Sequence, residues 1–274
     1  MPKDLVVNLM VAGARDAAAA CAISLAKTFD AHLAAVAFAY EPVLPAIVGG
    51  GIPESVIEEQ REENESAAKT AVAQFEALAK GVKHETRMVP ASLAGAADTF
   101  GEIARLFDFA VVGQSERDRV GPEELIVEGA LFGSGRPVLV VPADYTGDMR
   151  LDRILVCWNG GRNAARATGN AIPFLKRANA VEVVVVSTEV SPTAVTSAGD
   201  LCRHLERHQI SASVKRLEPG NLKVSQAILE HAARSGAGML VMGGYGHSRL
   251  REFILGGTTR GVLAAMNVPT LMSH

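Results

Sequence analysis

The sequence predicts an α/β protein of two repeated, doubly wound domains, each an open five-stranded parallel sheet flanked by helices. Three observations carry this. The chain repeats itself across its two halves. Short runs of Val, Ile and Leu alternate with stretches of helical periodicity, as in βαβ units. Those runs are continuous rather than alternating, which is the pattern of strands covered on both faces. A length of 274 residues suits about two domains.

Leu5–Gly13 (LVVNLMVAG) reads as a buried strand running into a small-residue turn, and Arg15-Asp16-Ala17-Ala18 opens an Ala-rich helix. Pro42–Pro53 holds three prolines and three glycines and reads as a loop. The acidic run Glu58–Glu65 begins a long helix with a solvated face. Phe109–Gly113 is a buried strand, and Val138–Val141, after Pro137, closes the first repeat.

The opening pattern recurs as Arg153–Gly161 (RILVCWNGG), followed by Arg162-Asn163-Ala164-Ala165. Phe109–Gly113 then corresponds to Met239–Gly243, and Pro137 to Pro269. The offset is 147 from Arg15 to Arg162 but 132 from Pro137 to Pro269, so the first half carries about 15 extra residues. The Pro42–Pro53 loop accounts for most of them. In the second half the expected strands are Ile154–Trp158, Val181–Ser187, Ser211–Leu217, Met239–Met242 and Thr270–Ser273. The expected helices are Ala164–Arg177, Ala198–His208, Lys223–Ser235 and Thr258–Met266. The polar stretch Asp144–Arg150 is the natural linker, giving domains 1–148 and 151–274.

Composition narrows the function. A net charge of −3 leaves no basic surplus to neutralise phosphates along a nucleic acid, and 5% aromatic residues leave few platforms for bases. No apolar run approaches the roughly 18 residues that span a membrane. Cys21, Cys157 and Cys202 stand far apart without a CxxC spacing, the usage of a reducing compartment. A cytoplasmic protein with no nucleic-acid or membrane partner is expected.

The chemical signal is Val241–Val262, VMGGYGHSRLREFILGGTTRGV. A strand ends at Met242, and Gly243, Gly244 and Gly246 follow. Gly256, Gly257, Thr258 and Thr259 then lead into the last helix. Glycine amides approach a polyanion closely, and a helix start adds oriented N–H groups and partial positive charge. In open α/β sheets, ligands bind beyond the carboxyl ends of strands where the strand order reverses. Arg260, in the first turn of the last helix, is poorly placed for the helix dipole, and a bound phosphate would offset that cost.

Gly243-x2-Gly246-x9-Gly256 resembles the G-x2-G-x9-G-(S/T) nucleotide signature of the universal stress protein family. With the first strand, the repeat and the terminal Val-Pro strand, the whole chain resembles a tandem member of that family. The resemblance implies a stress-response or regulatory protein whose second domain holds ATP through Gly243, Gly246, Gly256, Gly257, Thr258 and Asn159. Two positions depart from the family pattern. Gly257 stands where Ser or Thr is usual, and Asn159 where an Asp near the end of strand one is usual. In the first half Gln114-Ser115-Glu116 follows Gly113, and a carboxylate there repels a triphosphate. The first domain is therefore expected not to bind nucleotide in the family manner. The rival reading is a scaffold of the same fold that binds protein partners and no nucleotide.

Enzymatic signatures such as G-x-x-x-x-G-K-[ST], G-x-S-x-G and HExxH are missing, so at most slow ATP hydrolysis is expected, with no catalytic or metal-ligating set assigned. His204 and His208, at i and i+4, read as surface histidines, since no third ligand has motif spacing. Trp158 and Cys157 read as core residues. Finally, Val138–Val141 and Thr270–Ser273 each follow a proline, which marks edge strands. Apolar edges invite pairing. The two halves are therefore expected to form an internal pseudo-dimer through these strands, with dimerisation of whole chains left open.

Overall fold

A computed structural model of the chain describes residues 1–11, 15–42, 53–115, 121–186, 192–245 and 257–274, the side chains of 192–196 excepted. The chain divides into two units, Pro2–Arg136 and Pro137–His274, with Met1 assigned to the latter.

The first unit runs β1 (Asp4–Asn8), α1 (Ala17–Phe29), β2 (His32–Tyr40), α2 (Glu54–Leu78), β3 (His84–Ala91), α3 (Leu93–Ala104), β4 (Phe109–Gly113) and α4 (Pro122–Gly133). All its strand pairs are parallel, in the order β3-β2-β1-β4. Leu5, Val6 and Val7 of β1 and Ala110 and Val111 of β4 are fully buried, as continuous apolar runs in a covered sheet require. Each such valine or leucine contributes ~1.5–3 kcal/mol of burial. The acidic start of α2 is solvated, and the helix buries only Ala68, Ala71 and Phe75. α3 and α4 cross closely: a Cβ on Gly129 would stand 2.2 Å from the Ala97 carbonyl oxygen. Only glycine allows that approach.

The second unit runs β5 (Val138–Val141), β6 (Arg153–Cys157), α5 (Arg162–Leu175), β7 (Ala180–Val186), α6 (Pro192–Arg207), β8 (Ala212–Leu217), α7 (Val224–Ser235), β9 (Met239–Gly243), α8 (Thr258–Ala265) and β10 (Thr270–Ser273). Its parallel strands follow the order β8-β7-β6-β9-β10, the same winding as the first unit with one strand added. β5, which closes the first repeat in sequence, belongs to this unit and lies antiparallel on β10, with Leu139 opposite Leu271. All four β5 residues are buried. The segment between β5 and β6 forms a turn in which the Tyr145 amide donates to the Pro142 carbonyl at 3.0 Å.

Expected and observed elements agree in kind and order, and differ at their ends. α6 begins at Pro192 rather than Ala198, because proline at a first helical position loses no intrahelical bond. Lys223 is the N-cap of α7 rather than its first residue, with its amide donating to Gln226 Oε1 at 2.9 Å.

Candidate functional site

In the second unit the strand order reverses between β6 and β9. β6 is followed outward by β7 and β8, and β9 by β10. The register sets Ile154 beside Met239 and Val156 beside Val241. Trp158, Asn159, Gly160 and Gly161 thus leave the sheet next to Gly243, Gly244 and Tyr245. In a strand–helix unit the helix starts at the carboxyl end of the preceding strand, so α5 and α8 both begin on this side.

What holds α5 against β9 is the missing side chain of Gly243. A Cβ there would lie 2.6 Å from the Ala164 amide nitrogen and 2.7 Å from the Asn163 carbonyl carbon. Buried Asn163 then ties the helix to the chain beyond β9, its Nδ2 donating to the Gly244 carbonyl at 2.7 Å. The Gly244 amide donates to the Ser273 carbonyl at 2.8 Å. Asn163 was not singled out by sequence, although it occupies the position that Asp16 holds in the first repeat.

Exposed Asn159 folds back so that Oδ1 accepts from the Gly161 amide at 2.9 Å, while Gly160 takes the left-handed conformation at φ 74°. Its Nδ2 remains a donor, since an amide carries both functions. Trp158 is half-buried, and its Nε1–H donates to Ser197 Oγ on α6 at 2.9 Å. Across the crevice, α8 starts from Gly257 with no side-chain cap. Thr258 is half-buried at its first position. Buried Thr259, and not Thr258, is the hydroxyl that meets the glycine segment: its Oγ1 accepts from the Tyr245 amide at 3.1 Å. Tyr245 itself sits at φ 46°. Gly246 and Gly256 lie outside the described residues, as do His247, Arg249 and Arg251.

The helix starts carry the electrostatic contrast between the units. α5 and α8 have glycine N-caps, no side-chain cap and no acidic residue in their first turns, which instead contain Arg162 and Arg260. Their orphan N–H groups present positive ends to the crevice. In the first unit the corresponding ends carry acidic groups: α1 is capped by a side chain, and α4, which starts from Gly121 without a side-chain cap, has carboxylates in its first turn. The Asp16 carboxylate accepts from the Ala19 amide at 2.8 Å and from the Met10 amide at 2.8 Å, so it caps α1 and closes the strand-end loop. Burial of that carboxylate raises its pKa above 3.8, against the lowering effect of these amides. α4 carries Glu123 and Glu124 in its first turn. Burial, and then the charge of Glu123, push the Tyr40 hydroxyl above its ordinary value.

The remaining sequence candidates are placed as follows. His204 is exposed on α6 and His208 half-buried in the turn that follows the helix, their rings in edge contact at 4.9 Å. Among the described residues no group of three or more His, Cys, Asp or Glu is placed to hold a metal ion. Burial pushes the Cys21 and Cys157 thiols up to about 12. No helix among the described residues is long and apolar enough to cross a membrane.

Comparison with known proteins matches residues 150–274 to the model of the universal stress protein family. Among curated proteins, universal stress protein Slr1230 of Synechocystis is 25% identical over 142 residues, which cover 50% of this chain and 46% of that protein. The chain thus spans about half the length of this curated relative. Among solved structures, a universal stress protein from Archaeoglobus fulgidus superposes with a TM-score of 0.70 at 19% identity, covering 98% of this chain and 95% of that one. A candidate universal stress protein from Pseudomonas aeruginosa superposes with a TM-score of 0.60 at 16% identity, covering 99% and 93%. The superpositions establish the fold over nearly the whole chain. The second half, residues 150–274, is a domain of the universal stress protein family, and the rest of the chain shares the fold of these proteins.

Proposed function

We propose that the chain is a stress-response protein whose second unit binds a nucleotide, ATP, at the carboxyl ends of β6 and β9. The observation that carries this reading is the pair of helix starts there. α5 and α8 begin at Gly161 and Gly257 with uncapped amides and with arginines where the dipole disfavours them. A polyphosphate would satisfy those amides and compensate Arg162 and Arg260. Gly243, Gly246, Gly256, Gly257 and Thr258 would supply backbone donors, and Asn159 Nδ2 a side-chain donor toward ribose or base. The residues present fit such a ligand. The first unit does not, because Asp16, Glu123 and Glu124 already occupy or neutralise the equivalent helix ends.

Calorimetric titration with ATP and ADP tests the reading. Saturable binding is expected, and Gly246→Asp should abolish it by setting a carboxylate among the phosphates, whereas Glu116→Gln should leave it unchanged. Wild-type protein with no binding heat at millimolar nucleotide refutes it. The antiparallel register of β5 on β10 supports a second element of the proposal, that the two repeats are joined through their last strands.

A further inference from the structure

The second unit holds a polar cluster away from the β6–β9 crevice. Glu182 interrupts the apolar run of β7, and its carboxylate is nearly buried. Oε1 accepts from the Arg153 guanidinium on β6, and Oε2 lies 2.8 Å from Nε2 of His231 on α7. His231 is itself 9% exposed. A nearly buried carboxylate clamped between a guanidinium and an imidazole fixes the ring's orientation. Nδ1 of His231 makes no hydrogen bond to any described residue.

The ring lines a cleft of about 380 Å³ between the carboxyl end of β8 and α7. Lys215 and Arg216 from β8 and Arg234 from α7 also line it. None of these three cations forms an ion pair with a described residue. Two carboxylates, Glu218 and Glu230, stand on the same lining. On this lining three cations stand against two carboxylates. Arg234 also lies in the last turn of α7, where a cation is favoured by the dipole. That accounts for one charge and leaves Lys215, Arg216 and the open Nδ1 without a structural role.

We propose that this cleft is a binding site for a small oxyanion, a phosphate or phosphate-bearing metabolite. His231 would donate from Nδ1 while Glu182 holds Nε2, and Arg216 and Arg234 would supply charge-assisted bonds. The site is separate from the nucleotide crevice and does not depend on it.

The test is an NMR titration of the full chain with inorganic phosphate, at ionic strength held constant with chloride, following the His231 ring. A saturable shift is expected below about 20 mM, where even a millimolar site fills. Arg216→Ala and Arg234→Ala, both at solvent-exposed positions, should each weaken binding roughly tenfold. Gly246→Asp should leave it intact, which separates this site from the crevice. A linear, unsaturated shift, or a saturable one unchanged in both arginine variants, overturns the proposal.

Discussion

Replacing Gly243 by alanine adds one methyl group at the point where β9 meets the first turn of α5. The new carbon would lie 2.6 Å from the Ala164 nitrogen, 2.7 Å from the Asn163 carbonyl carbon and 2.9 Å from Asn163 Cβ. Ordinary contact begins near 3.4 Å, so the helix start must withdraw by about 0.8 Å, and two of the three obstacles are backbone. Overpacking of this kind costs ~1–3 kcal/mol. Withdrawal also stretches the buried bond from Asn163 to the Gly244 carbonyl, worth about 1 kcal/mol more. We expect a total of ~2–4 kcal/mol, or a fall in Tm of roughly 5–15 °C. Gly169→Ala is the matched control, because Gly169 lies inside the same helix and a Cβ there meets nothing within 4 Å. It should stabilise the protein by ~0.5–1 kcal/mol. Urea and thermal melts followed by circular dichroism read both variants without ligand. If Gly243→Ala stays within about 0.5 kcal/mol of wild type, or moves in parallel with Gly169→Ala, the steric argument is wrong.

Three further outcomes are expected. Because the folded pKa of Asp16 is raised above 3.8, the native state binds that proton more tightly than the unfolded chain does. Stability therefore falls as pH rises from 3.8 through the folded value, and Asp16→Asn removes this loss. The urea midpoint of the variant relative to wild type should climb across that window, and a pH-independent difference counts against it. In native protein at alkaline pH Cys202 should react with a thiol reagent ahead of the other two: partial burial raises its thiol as well, but burial holds Cys21 and Cys157 up at about 12. Mass spectrometry of the labelled peptides checks this, and rapid loss of the Cys157 thiol contradicts it. A fragment of residues 137–274 keeps β5 on β10, whereas 151–274 bares the β10 edge. Light scattering should find the shorter fragment the more aggregated, and equal solubility denies β5 its covering role.

The sequence was most informative where periodicity and the repeat agree. β1, β4, β6, β9 and β10 fall where the apolar runs lie, because a strand buried on both faces leaves no other pattern. The pairing of Val138–Val141 with Thr270–Ser273 was expected from their prolines and apolar edges, but its antiparallel register, Leu139 opposite Leu271, was not legible, because it depends on residues more than 120 positions apart. At the candidate site the glycines stand out in sequence, while their tasks do not. Gly243 admits the backbone of α5, a close approach that exists only after the sheet and helix have packed. Thr258 and Thr259 differ by one helical step of 100°. Only the placed helix shows that Thr259 reaches the Tyr245 amide. Asp16 was legible as part of the repeat, yet its work as cap and loop tie depends on two amides brought together by folding.

The indole at position 158 gives the chain an unintended optical label. It is the single tryptophan in 274 residues, it belongs to the second unit, and it immediately precedes Asn159. Emission excited selectively in the indole band therefore comes from that unit alone, while the first unit remains dark. A denaturation curve recorded this way follows the second unit and, through the Nε1–H bond to Ser197, the seating of α6. Set beside a far-ultraviolet curve of the whole chain, it separates sequential from concerted loss of the two halves without any added probe.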